Sequence, residues 1–200
     1  MAADRHPLLA DTSALIAVAN TDLWELLCET LAVTTTNVCV AECKRHADTD
    51  YPAAGSRAAY LKQGSQRVLS QLRDDDTSWS VVTVVPRPHG PDAGEQSLQQ
   101  EAAAHPDAYS VVSLLDGEGR RSIRRQLADY DIDVVGPPYL LYLLFATDHI
   151  SKAEFCQATV ELIRTEGWTG YEAVKGAWAG IPVDCADLLG DEYDDALPPH

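Results

Sequence analysis

Lysine is scarce in this chain: four Lys among 15 basic residues, set against 31 acidic ones, for a formal charge of −16. A surface that acidic repels nucleic acid in dilute salt and excludes a broad electrostatic mode of binding it. Proteins from organisms that keep molar salt in the cytoplasm have this same composition, and there the Debye length falls to about 3 Å or less. Under that salt-adapted (halophilic) reading the net charge says little about the substrate. No run approaches the 18 or so apolar residues of a membrane span. The opening MAADRHPLLAD also lacks the apolar core and cleavage site of a signal peptide, so a soluble, cytoplasmic protein with no membrane partner is expected. The five cysteines (Cys28, Cys39, Cys43, Cys156 and Cys185) are odd in number and form no CxxC pair, which argues against a disulfide framework. Cys39, Cys43 and His46 can share a helical face, but no fourth ligand at a zinc spacing follows, and buried or half-buried thiols are expected instead. A phosphate-cradling G-x-x-x-x-G-K-[ST] loop, a nucleophile elbow and an internal repeat are all missing.

What is present is an alternation of strands and helices. Short β-rich segments fall at Leu8–Asp11, Val33–Thr36, Ser80–Val85, Tyr109–Leu115 and Ile132–Val135. Between them lie helical patterns: one from Ala14, capped by Thr12 or Ser13; LWELLCETL after Asp22; and one capped by Asn37. Further helices are expected over Arg57–Arg73, which ends in the acidic run Asp74, Asp75, Asp76, over Glu95–Ala104 behind a cap at Asp92, over Arg120–Tyr130 and over Asp148–Thr165. The apolar YLLYLLFA reads as a core helix or the interface of a homodimer. This order predicts an α/β fold of three layers, α/β/α, with a central parallel sheet. Residues 1–166 are expected to form the domain. Residues 167–190, with Trp168, Tyr171 and Trp178, are expected to dock on it as a C-terminal extension, and 191–200 to be a disordered acidic tail.

Four acids sit where a strand is expected to hand over to a helix: Asp11 in LLADTSALI, Glu42 in NVCVAECKRH, Glu95 in DAGEQSLQQEA and Asp116 in SVVSLLDGEGRR. In an open α/β sheet, the ends of parallel strands converge on one crevice. Carboxylates gathered there repel one another unless a divalent cation or bound protons neutralise them. A Mg²⁺ or Mn²⁺ site is the leading expectation, since these ions take hard oxygen ligands and keep waters. Phosphodiester hydrolysis is its expected use. Plainer roles compete: Asp11 as a helix cap, Glu42 and Glu95 as solvated helix faces, Asp116 as a turn residue.

Taken in order, LLADTSALI, the helix carrying Glu42, DAGE and LLDGEGRRSIRR followed by IDVVG resemble the PIN-domain nucleases. The nearest pattern is the subgroup whose third motif reads D-x-G-E, and the resemblance covers about residues 6–165. It implies a PIN-like fold and a metal-dependent endoribonuclease. Asp11, Glu42, Glu95 and Asp116 would be metal ligands, and Ser13, or less directly Thr12, would orient a metal-bound water or the Asp11 carboxylate. Many PIN proteins are toxins paired with an antitoxin protein, so an antitoxin is a candidate partner beside the RNA substrate. One departure is Gly117, where family members often carry a second acid or a Thr; Glu118 is the candidate replacement, and Asp92 could stand in for Glu95. That departure keeps open an inactive PIN-like module that binds a protein or RNA partner.

Arginine is concentrated beside the acids. Arg120, Arg121, Arg124 and Arg125 lie within six residues, and as i,i+4 pairs they would form two positive ridges running from Asp116. Together with Lys44 they are the candidate RNA contacts, Arg121 foremost. Pairing with Glu118, Asp129 and Asp131 on a salt-adapted surface is the alternative.

Overall fold

The computed structural model describes residues 8–74, 77–168 and 171–185, without the side chains of 171–173. Asp75, Asp76, the side chain of Tyr171 and the expected tail at 191–200 lie outside the described residues. Five strands, β1 (Leu8–Ala10), β2 (Val33–Thr36), β3 (Ser80–Val82), β4 (Val111–Ser113) and β5 (Asp133–Val135), form one parallel sheet in the order β3-β2-β1-β4-β5. Registers such as Leu8↔Val33, Leu8↔Val111 and Val111↔Asp133 align the strands at one level. This is the expected three-layer α/β/α architecture, and the strand alternation divides it. Leu8, Ala10, Val111 and Val135 point into one apolar cluster, and Leu9, Val112 and Val134 into another on the opposite face.

The larger cluster gathers α1 (Thr12–Ala19), α2 (Trp24–Thr30), α4 (Arg57–Gln71), α7 (Pro138–Ala146) and α8 (Lys152–Glu166). The smaller holds Leu98 and Ala102 of α5 (Ala93–Ala104) with Ile123 of α6 (Gly117–Gln126). The helix α3 (Asn37–Ala47) feeds both, Cys39 into one and Cys43 into the other. YLLYLLFA is a core helix: Leu140, Leu141, Leu143 and Leu144 of α7 are buried. The central strands β1 and β4 are buried at every position and read as mostly apolar runs, as the interior strands of parallel sheets do.

Several boundaries move for local reasons. Asp11, not Thr12 or Ser13, caps α1, and Thr36, not Asn37, caps α3 by accepting from Cys39 N at 3.2 Å. Asn37 instead accepts from Val84 N at 3.1 Å, which anchors the segment after β3. The strand expected over Ser80–Val85 pairs only over Ser80–Val82, an exposed edge that ends before Pro86, whose ring nitrogen cannot donate to a ladder. The helix expected from Arg120 begins three residues earlier, because Asp116 accepts from Gly119 N and starts it there.

The cysteine expectation needs correction. Cys28, Cys39 and Cys43 are free thiols, the last two buried, but Cys156 and Cys185 form a disulfide. Proximity in space decided this pairing: α8 and the segment following α9 (Tyr171–Ala177) pack together, with Trp178 against Phe155 at 5.7 Å. Val174, Trp178, Ile181 and Val183 are buried in the larger cluster.

Candidate active site

The polar pocket sits at the C-terminal edge of the sheet, beside the β1/β4 boundary where the strand order reverses. Asp11 follows β1 directly, and its backbone N–H donates to Ser113 O at 3.0 Å, so strand pairing fixes where its side chain starts. The carboxylate caps α1, accepting from Ala14 N at 2.6 Å, and the residue is only 6% exposed. Asp116 holds the mirror position after β4 and caps α6 through Gly119 N at 2.5 Å. Both aspartates are therefore caps as well as pocket residues, and the capping role does not compete with a site role.

The two glutamates arrive from helices packed side by side. Thr36 Oγ1 shares a 2.7 Å hydrogen bond with Ser97 Oγ, whose hydroxyl also bonds Gly94 O at 2.6 Å, and this buried pair ties the start of α3 to α5. The tie brings Gly94 against Glu42: a Cβ there would meet Glu42 Oε2 at 2.9 Å. One step round the pocket, a Cβ on Gly119 would meet the Glu95 carboxylate at 2.5 Å. Each Glu head thus rests on a glycine in the first turn of the next helix, where unpaired N–H groups give a favourable field for anions.

The pocket has a volume of about 420 Å³ and is lined by Asp11, Ser13, Glu42, Asp92, Glu95, Asp116, Gly117 and Arg120, with Arg57, Glu166 and Trp168 on its wall. Burial pushes the Asp11 pKa up to about 7; the bond from Ala14 N opposes this, and the charges of Glu95 and Glu42 add to it. Glu95 is likewise raised, by burial first and then by Asp116, Asp92, Glu118 and Glu42. Glu118 and Asp92 are thus within electrostatic reach of Glu95. The structure brings together all four expected acids and Ser13.

The expected cations are spread more widely. Arg120 is 5% exposed, with Nη1 donating to Leu114 O at 2.8 Å and Leu115 O at 2.5 Å. Burial lowers its pKa, while Asp116 and Asp11 hold it up. Arg124 donates Nη2 to Val134 O at 2.6 Å. The 120/124 ridge therefore braces β4 and β5 from beneath, and Arg121, Arg125 and Lys44 are exposed. Sequence reasoning missed Arg57, Glu166 and Trp168, which sit about a hundred residues apart and carry no local motif.

The oxygen-only donors suit a hard cation such as Mg²⁺ or Mn²⁺ in kind, and the raised Asp11 and Glu95 record a surplus of negative charge that such an ion would relieve. Among the described residues, no three His, Cys, Asp or Glu side chains stand close enough to hold an ion as they lie.

A three-layer fold with an acidic pocket at the switch point of a parallel sheet defines a class of α/β proteins built for ligands at strand ends. Within that class the chain belongs to the family described as the halobacterial PIN domain, which it matches over residues 1–195. PIN domains are generally nucleases, hence hydrolases, and that activity is what membership implies. The family's halobacterial character agrees with the acidic, Lys-poor composition. No curated protein and no solved structure gives a significant match. Among the described residues, no helix is long and apolar enough to cross a membrane.

Proposed function

We propose that the protein is a divalent-metal-dependent endoribonuclease of the D-x-G-E type, with Asp11, Glu42, Glu95 and Asp116 as ligands of Mg²⁺ or Mn²⁺. The observation that carries this reading is that four carboxylates from separate elements line one pocket, with Asp11 raised to about 7 by burial and by its neighbours' charge. Such an arrangement costs stability unless a cation or substrate repays it. When bound, the ion supplies charge to polarise the scissile phosphate and a water acidified for attack.

The chain's own residues do the rest. Asp11, held by Ala14 N, and Asp116, held by Gly119 N, present carboxylate oxygens from fixed backbones on the two central strands. Ser13, half-buried in the pocket wall two residues after Asp11, orients a water by hydrogen bonding. Glu42 and Glu95 supply carboxylates able to take up a proton from attacking water, and burial raises the proton affinity of Glu95. Arg120, beneath Asp11 and Asp116, offsets part of their mutual repulsion. A toxin role with an antitoxin covering the pocket is compatible with this chemistry and adds no residue to it.

The test is cleavage of a mixed single-stranded RNA in molar KCl with Mn²⁺, with an EDTA control and a DNA of the same sequence. Wild type is compared with Asp11→Asn plus Asp116→Asn. Cutting of RNA that needs metal and vanishes in a folded double variant is expected. A folded wild type that neither cuts RNA nor binds Mn²⁺ would replace this reading with that of an inactive binding module.

A further inference from the structure

Beside the acids, the pocket wall carries a group that metal-ion chemistry does not use. We propose that Trp168 and Arg57 form a subsite for one unpaired nucleotide, Trp168 stacking on its base and Arg57 contacting its phosphate. The proposal rests on the pocket being where RNA is cut, and it assigns the residues that hold the strand there.

Trp168 is placed by a helix ending, not by a loose loop. Gly167 adopts φ 65°, its N–H donates to Arg164 O at 3.1 Å, and Trp168 N–H reaches back to Ile163 O at 3.2 Å. That is the paired bonding of a Schellman cap, which fixes the backbone of the residue after the glycine. The ring is then half-buried and lines the pocket. The other three tryptophans are buried in the core, Trp24 edge-on to Trp79 at 5.3 Å and Trp178 against Phe155, whereas Trp168 is only partly buried where it packs on that core. Among the described residues Trp168 has no such ring partner.

Arg57 is preorganised as well. Its Nη2 donates to Glu166 at 2.8 Å, and its guanidinium lies 4.6 Å over the Tyr60 ring, while Tyr60 OH donates to the same carboxylate. Glu166 is 2% exposed at its side chain and Arg57 50%, so the acid is committed inward and the guanidinium faces the pocket. A guanidinium has five donors, and Glu166 engages one nitrogen. Arg57 and Arg120 are the cations lining this pocket among the described residues, and Arg120 is 5% exposed with Nη1 turned to two backbone carbonyls, whereas the Arg57 side chain is 50% exposed. In an acidic cavity, the oriented and half-exposed Arg57 is the group left to hold a phosphate.

A planar ring beside an oriented cation is how single-stranded nucleic acid is held without sequence reading. Bases within an A-form duplex are stacked on one another and offer no free face to such a ring. A cavity of about 420 Å³ falls in the range of small-ligand sites, the scale of a single nucleotide.

The test uses the full chain in molar KCl with Mg²⁺, carrying Asp116→Asn so that bound RNA is not consumed. The probes are a mixed single-stranded hexanucleotide and its blunt duplex. The single strand is expected to quench tryptophan emission, since the three other tryptophans are buried, and the duplex to leave it unchanged. By anisotropy of labelled RNA, Trp168→Phe should retain binding, while Trp168→Leu and Arg57→Gln should each weaken it about 10-fold, measured below the melting temperature of each variant with its fold verified by circular dichroism. Equal affinity of Trp168→Leu and its parent, or equal binding of duplex and single strand, overturns the subsite. RNA cleavage by the chain with native Asp116 is scored separately. Cutting with unaltered KM in Trp168→Leu sinks the subsite alone, whereas quenching by a chain that never cuts keeps the subsite and sinks the nuclease.

Discussion

Asp11→Asn should make the metal-free protein more stable. The Asp11 carboxyl titrates near 7 in the fold against 3.8 outside it, chiefly because it is buried. Between those two values the folded chain holds a proton that the unfolded chain has lost, so stability falls as pH rises through the window and the full penalty stands above pH 7. At about 1.4 kcal/mol per pH unit the rise corresponds to about 4 kcal/mol. Molar salt screens the part contributed by Glu95 and Glu42 and leaves the burial part, so a gain of about 2–4 kcal/mol is expected. Asparagine removes the charge and keeps an oxygen to accept from Ala14 N, a cap as good as aspartate. The assay is urea unfolding in molar KCl with EDTA at pH 4 and pH 8. The variant should exceed wild type at pH 8, and the difference should largely vanish at pH 4. Mg²⁺ at about 1,000 times its Kd should cancel or reverse the difference, since binding at that excess adds about 4.1 kcal/mol to the chain that binds it. A variant no more stable than wild type at pH 8 in EDTA, or a gain of equal size at pH 4, would refute the reasoning.

Gly119→Ala should cost metal affinity and not the fold, because the new methyl group would displace the Glu95 carboxylate rather than backbone; calorimetry with Mn²⁺ should read at least a 10-fold loss on the scale of altered ligand support, and unchanged affinity would contradict the placement. Tyr109→Phe leaves the buried Glu101 carboxylate without the 2.9 Å bond from the phenol and should cost about 1–3 kcal/mol in urea; a loss under half that would mean water takes the phenol's place. Cys156→Ser opens a crosslink spanning 29 residues and should cost about 3–4 kcal/mol by loop-closure entropy. In the native chain, thiol counting after unfolding without reductant should find three free cysteines, and five would remove the disulfide.

The sheet was legible because its strands are short runs of apolar and β-branched residues, each followed by helical periodicity; β1, β2 and β5 fall within a residue or so of where pattern alone puts them. Boundaries slipped where a side chain had two possible jobs. Thr36 and Asn37 are both good caps, and only the Val84 N–H, 47 residues on, decides that Asn37 is occupied elsewhere. Gly117 and Gly119 read as a turn, and it is the Asp116 cap that enlists them into α6. Asp11, Glu95 and Asp116 stood out because each sits at the start of a helix, and Glu42, in the middle of α3, because it completes their ordered pattern. Arg57 and Trp168 did not, because what matters about them is that α4 and α8 meet through Glu166, a fact of packing with no sequence period. The Cys156–Cys185 pairing was hidden for the same reason, and counting cysteines could not reveal it.

The pairing of β1 with β4 also sets a timetable. Leu8 and Val111 are register partners, and Asp11 is positioned by Ser113, so the first acid of the pocket waits on a strand about a hundred residues later. At a translation rate of about 5–20 residues per second, that is roughly 5–20 s of synthesis before Asp116 exists at all. During that interval Asp11 and Glu42 are already made, but the crevice they belong to has no second wall. On the nuclease reading, a growing chain is held against the ribosome's own RNA with no means of cutting it, and it becomes competent only after β4 has left the tunnel and found its place in the sheet.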